Sequence, residues 1–142
     1  MDLLKTHVDV RSDNFPLTSA ELEKWEGQIG GELLAKFLSE QFGHYDLPIA
    51  GYHDEDWGYY LSFVNENYKH IFIGCNRYEQ NDNVFLIFIN PAKPIIKKGF
   101  FKKIDISTQL NHVSKVLEGI LSDSTFFYNI RWWTTEEMKT VL

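Results

Sequence analysis

Hydrophobic and polar positions along this chain change period several times, and each change marks an expected element. The clearest block, Tyr52 to Pro91, reads as three β-strands in succession. Trp57 to Val64 alternates, which predicts Trp57, Tyr59, Leu61 and Phe63 on one side. Asn65-Glu66-Asn67 then predicts a tight hairpin, since Asn tolerates the positive φ such turns demand. Tyr68 to Cys75 is the next strand, with Ile71, Ile73 and Cys75 on one face and Phe72 on the other. After the polar loop 79–83, Val84 to Ile89 is apolar without alternation, the pattern of a central strand covered on both faces.

Before this block, Leu3 to Val10 fits a short strand or an ordered arm. Thr18 and Glu21 have capping-box spacing, and Leu22, Trp25, Ile29, Leu33, Phe37 and Leu38 continue at helical spacing. Gly27, Gly30 and Gly31 interrupt that helix, so a bend or break is expected near Gly30, and Gly43 is placed to end it in a left-handed cap. Leu47 to Tyr52 is extended, and Pro48 confines it to a sheet edge or a strand start. His53 to Asp56 is expected to turn the chain.

Beyond the block, Pro91 to Lys103 reads as a solvated basic loop with apolar anchors. Asp105 or Ser107 can cap a second long helix whose buried stripe is Leu110, Val113, Val116, Leu117, Ile120 and Leu121. Thr125 to Trp133 is aromatic and β-branched, hence a last strand, and Thr134 with Glu137 repeats the capping-box spacing to start a short C-terminal helix. The expected fold is therefore α+β: a mainly antiparallel sheet of about four to six strands, with two long helices packed on it and a short C-terminal helix. No linker, repeat or low-complexity stretch divides the chain, so residues 1–142 form a single domain on this reading.

Composition changes the picture in three ways. A net charge of −6 opposes phosphate backbones, so no nucleic-acid partner is expected, and an acidic surface suits either solubility or a basic protein partner. Cys75 is the single cysteine, which removes intramolecular disulfides and multi-cysteine metal sites. The amino-terminal stretch shows no basic segment followed by an apolar run, and no window approaches 18 consecutive apolar residues. A cytoplasmic protein with no membrane partner is the expectation, its oligomeric state left open.

Four clusters are candidates for function. Asp54, Glu55 and Asp56, next to Trp57, could hold a cation or share protons, but they fit no calcium-loop pattern, and binding a basic partner is the better use of their charge. Cys75 lies near Arg77, yet no local histidine could serve as base, so it is assigned to the core. Lys93, Lys97, Lys98, Lys102 and Lys103 alternate with Ile95, Ile96, Phe100 and Phe101, a pattern compatible with RNA or membrane surfaces; the net charge favours instead a crossover anchored by its aromatics. Arg131-Trp132-Trp133 on a strand points one tryptophan inward and the other outward, which leaves an exposed aromatic next to Arg131, residue types that concentrate binding energy. The candidate binding residues are thus Asp54, Glu55, Asp56, Trp57, Tyr59, Arg131 and Trp133. No catalytic residue, metal ligand or cofactor is assigned.

The segments EDWGYY, IFIGCNRY, FLIFINP, FFKKID and IRWW together resemble a family of small bacterial single-domain proteins, over about residues 46 to 133. That family carries no assigned chemistry, so the resemblance transfers no catalytic residue. Its general character is similar to that of immunity proteins, small stoichiometric binders that neutralise a toxin. The functional expectation is a non-enzymatic interaction domain, of immunity or inhibitor type, that binds a basic partner. The alternatives are a small-molecule binding domain with an aromatic pocket between sheet and helix, and an enzyme using the acids near Trp57.

Overall fold

The computed structural model describes residues 5–25, 30–78, 83–100, 102–134 and 136–137. The elements follow the order β1 (Lys5–Arg11), α1 (Ser19–Trp25), α2 (Glu32–His44), β2 (Ile49–Glu55), β3 (Gly58–Phe63), β4 (Phe72–Arg77), β5 (Val84–Asn90), β6 (Ile95–Lys98), β7 (Lys102–Asp105), α3 (Ser107–Asp123) and β8 (Tyr128–Thr134). Six strands form one antiparallel sheet in the order β2-β3-β4-β5-β1-β8, and β6 and β7 form a separate two-stranded hairpin. The amino-terminal stretch is therefore a strand, inserted between β5 and β8.

One face of the sheet carries the core. Val8 and Val10 of β1, Tyr59, Leu61 and Phe63 of β3, Ile73 and Cys75 of β4, and Phe85, Ile87 and Ile89 of β5 are buried there. Against them pack Leu34, Ala35, Leu38 and Phe42 of α2 and the whole expected stripe of α3, Leu110 to Leu121. Burial alternates along β1 and β5, so their other side chains point to a second face that is only half-buried. β5 is central, as its apolar run implies, but no helix backs its second face among the described residues; aromatic neighbours cover that face instead.

Both capping boxes form. The Thr18 amide donates to Glu21 Oε1 at 2.9 Å while the Glu21 amide donates to Thr18 Oγ1 at 3.2 Å, and Thr134 and Glu137 repeat the exchange at 3.0 and 3.2 Å. Just ahead of α3, Asp105 Oδ1 accepts the Ser107 amide at 2.9 Å, and hydrogen bonding from the Ser107 side chain, then from this amide, holds its carboxyl below the usual range. The expected first helix is divided into the seven residues of α1 and the thirteen of α2, with Gly30 and Gly31 outside any helix ahead of α2. Of the expected stripe, Leu22 is 54% exposed, Leu38 is buried and Leu33 and Phe37 pack against the core, with Leu34, Ala35 and Phe42 as further buried positions. Gly43 does not end α2 in a left-handed cap; the helix runs to His44, and Asp46 supplies the positive φ at 60°.

Three turn expectations are corrected. His53, Asp54 and Glu55 continue β2, and only Asp56 and Trp57 form the turn. Residues 65–67 do not make a tight hairpin: Glu66–Tyr68 is a 3-10 turn capped by Asn65, whose side chain accepts the Asn67 amide at 2.9 Å. The basic loop is a β-hairpin, and Phe100 is no anchor, being 99% exposed. Leu3, Gly27, Ile29, loop residues 79–82, Phe101, the Trp25 side chain and the helix expected beyond Thr134, apart from Glu136 and Glu137, lie outside the described residues.

Candidate binding face

The half-buried face of the sheet is paved with rings. His53 of β2 stacks on Tyr60 of β3 with centroids 4.9 Å apart, and Tyr60 stacks on Phe72 of β4 at 4.2 Å. Phe72 meets Phe88 of β5 edge-on at 6.2 Å, and Phe88 stacks on His7 of β1 at 6.0 Å. Trp57 covers the middle of this row, 5.3 Å from Phe88 and 6.4 Å from Phe72. Trp133 of β8 stands directly opposite His7 in the register. The row therefore runs through all six strands.

Local backbone chemistry sets this arrangement. Gly58 takes φ 152°, a conformation rare for other residues, and a Cβ there would overlap the Cys75 carbonyl oxygen. That geometry turns the chain so that Trp57 lands on the ring-bearing face while Tyr59 goes into the core. The expectation that Trp57 and Tyr59 share a side is thus overturned. Gly74 pairs with both Tyr60 and Phe88, and a Cβ on it would overlap the Phe88 ring. The missing side chain is what lets that ring lie across β4.

At one end of the row, the acids separate. Asp54 faces the helix side, where Lys24 of α1 donates to it at 2.8 Å and holds its carboxyl below the usual range. Glu55 lies on the ring side, 3.0 Å from His53 Nε2. The two carboxylates point to opposite sides of the strand and do not share a site; Asp56 is exposed in the turn. At the other end, the Arg131 guanidinium sits 3.7 Å over the Trp133 ring, and Trp133 Nε1 donates to Asp9 Oδ2 at 2.6 Å. Trp132 points the other way and packs against the core, as the alternation requires.

Of the seven expected binding residues, Glu55, Trp57, Arg131 and Trp133 belong to this face, Asp56 borders it, and Asp54 lies behind the edge strand. Tyr59 is excluded, being buried with its hydroxyl donating to Glu21 Oε2 at 3.0 Å. Burial, and then that carboxylate, push its phenol well above the ordinary range. Cys75 is likewise a core residue, fully buried, its thiol pushed up chiefly by desolvation. Sequence reasoning missed His7, His53, Tyr60, Phe72 and Phe88 as one surface. The available signal was Gly74, a lone glycine inside a strand, which marks close approach of another group.

An aromatic face with an acidic margin can bind apolar and cationic groups, and the tethered Arg131–Trp133 pair adds a rigid cation above a ring. Among the described residues, no group of three or more His, Cys, Asp or Glu side chains is placed to hold a metal ion. A shallow cleft of ≈ 300 Å³ involving Phe37, Tyr45, Ile120, Asp123 and Phe126 opens between α2 and α3, not between helix and sheet. These features define an α+β domain with a one-sided core and an aromatic second face. Compared with known protein families, with curated proteins and with solved structures, the chain matches none, so its functional reading rests on this geometry.

Proposed function

We propose that the protein is a non-enzymatic interaction domain that holds a protein partner against the aromatic face of its sheet, in the manner of an immunity or inhibitor protein. The observation that carries this reading is the row of ring contacts from His53 to His7, capped by Trp57 and extended in the register to Trp133, on the half-buried face of the sheet opposite the helices. Tryptophan, tyrosine and arginine are the side chains that dominate binding energy when a partner dries them. Glu55 and Asp56 at the margin favour a basic partner, because complementary charge accelerates encounter. Folded domains that bury one sheet face under helices and keep half-buried aromatic area on the other have a ready contact surface.

The test is affinity capture from the native host with the wild-type chain and with the Trp57→Ala/Trp133→Ala double variant. A partner retained by the wild type and by Phe126→Ala, but lost by the double variant, supports the reading. Equal retention by the folded double variant removes this face from the interface. Once the partner is in hand, reversing Glu55 and Asp56 to Lys should slow association and weaken its salt dependence, while Trp57→Ala should mainly speed dissociation.

A further inference from the structure

We infer that the β6–β7 hairpin is an anchor for anionic phospholipid surfaces, separate from the aromatic face. Pro91 to Lys103 carries five lysines and no acid, within a chain whose net charge is −6. The register places Lys97 opposite Lys103 and Lys98 opposite Lys102. Like charges directly across an antiparallel pair repel, so the Lys97–Lys103 pair weakens the hairpin unless an anionic surface neutralises it. Ile96 and Ile104 seat the base of the hairpin on the core, while the lysines at positions 93, 97, 102 and 103 are exposed. At the tip, between the two lysine pairs, Phe100 is 99% exposed.

The order along the hairpin decides the occupant. Phe100 lies in the turn, beyond the last paired lysines in the register, so its exposed ring can enter the headgroup boundary while the lysine stems keep their ammonium groups among the lipid phosphates. A nucleic acid would want a groove or a stacking platform with the charges at the contact, and this element is a convex tip. Lysine, a compact point charge without a planar fork, suits a diffuse layer of headgroups. No described helix is long and apolar enough to cross a membrane, so the attachment is to a surface and is reversible.

Sedimentation with vesicles tests this, using phosphatidylcholine alone and phosphatidylcholine with about a third phosphatidylglycerol. The full chain should sediment with the anionic vesicles, not with the neutral ones, and be released at high salt as charge is screened. Lys97→Gln/Lys103→Gln should lower the partition coefficient roughly 30-fold, since each lysine near such a surface contributes on the order of fivefold. Phe100→Ala should lower it about tenfold. Both variants alter exposed side chains, and a thermal melt checks that each stays folded. The inference is overturned if anionic vesicles retain no more protein than neutral ones, if the variants bind as the wild type does, or if a single-stranded DNA oligonucleotide is bound and the vesicles are not. Because the aromatic face is untouched, loss of vesicle binding with partner capture intact separates this site from the one proposed above.

Discussion

The ring of Phe88 lies across Gly74 on the neighbouring strand, in the space where any other residue would carry its Cβ. This one relationship positions the ring at the centre of the aromatic row. Gly74→Ala should force the ring aside, costing about 1–3 kcal/mol of stability through overpacking, and should disturb Trp57, which rests on Phe88. Chemical denaturation measures the first effect and a shift in tryptophan emission the second. A variant as stable as the wild type would mean that the row tolerates a displaced ring.

Glu21 and Tyr59 form a buried pair joining the start of α1 to the middle of the sheet. The carboxylate is 1% exposed and accepts from the Tyr59 hydroxyl and from the Thr18 and Glu32 amides. Tyr59→Phe should cost about 1–2 kcal/mol by removing a donor from a charged acceptor. A double-mutant cycle with Glu21→Gln should give a coupling energy of about 1 kcal/mol, and a coupling near zero would show the contact to be energetically idle.

His7 should make stability fall as the solution is acidified from neutrality. Burial lowers its pKa below the ordinary 6.5, so between that value and the lowered native one the unfolded chain binds a proton that the folded chain refuses. Stability is full above the window, declines through it and levels off beneath it. Melting temperatures of wild type and His7→Gln from pH 8 to pH 5 check this: the variant should show the flatter curve in that range. Parallel curves would remove His7 as the cause.

Cys75 is fully buried, its thiol held protonated by desolvation. A thiol reagent should therefore label the native protein only as fast as it opens. Cys75→Ala should cost about 1–2 kcal/mol and leave any binding activity intact. Rapid labelling of the folded chain accompanied by loss of partner capture would contradict the assignment.

The sequence displays those features whose cause is local. Both capping boxes and the α3 stripe depend on residues a few positions apart and are found as expected. Expected strands are found with shifted ends, β4 starting at Phe72 rather than Tyr68 and β8 at Tyr128 rather than Thr125. What it hides is set by single backbone torsions or by distant partners. Gly58 sends Trp57 and Tyr59 to opposite faces, although alternation puts them together. Of the stripe extrapolated across the break before Glu32, Leu38 is buried and Leu33 and Phe37 pack against the core, but Leu34, Ala35 and Phe42 lie outside it. The aromatic row unites residues from all six strands, and no spacing along the chain announces which of their faces will coincide.

The position of β1 sets an order of events. It lies inside the sheet, flanked by β5 and β8, and its pairing of His7 with Trp133 spans nearly the whole chain. During synthesis the β1 backbone has no sheet neighbour until β5 has emerged, and its outer side waits until β8 follows. The meander from β2 to β5 closes between consecutive strands, but both pairings of β1 join strands far apart in sequence, and contacts of that kind form more slowly than local ones. Until β8 docks, β1 is an open edge able to recruit a strand from another nascent chain, and Arg131 and the ring of Trp133 arrive only with the strand that shuts it.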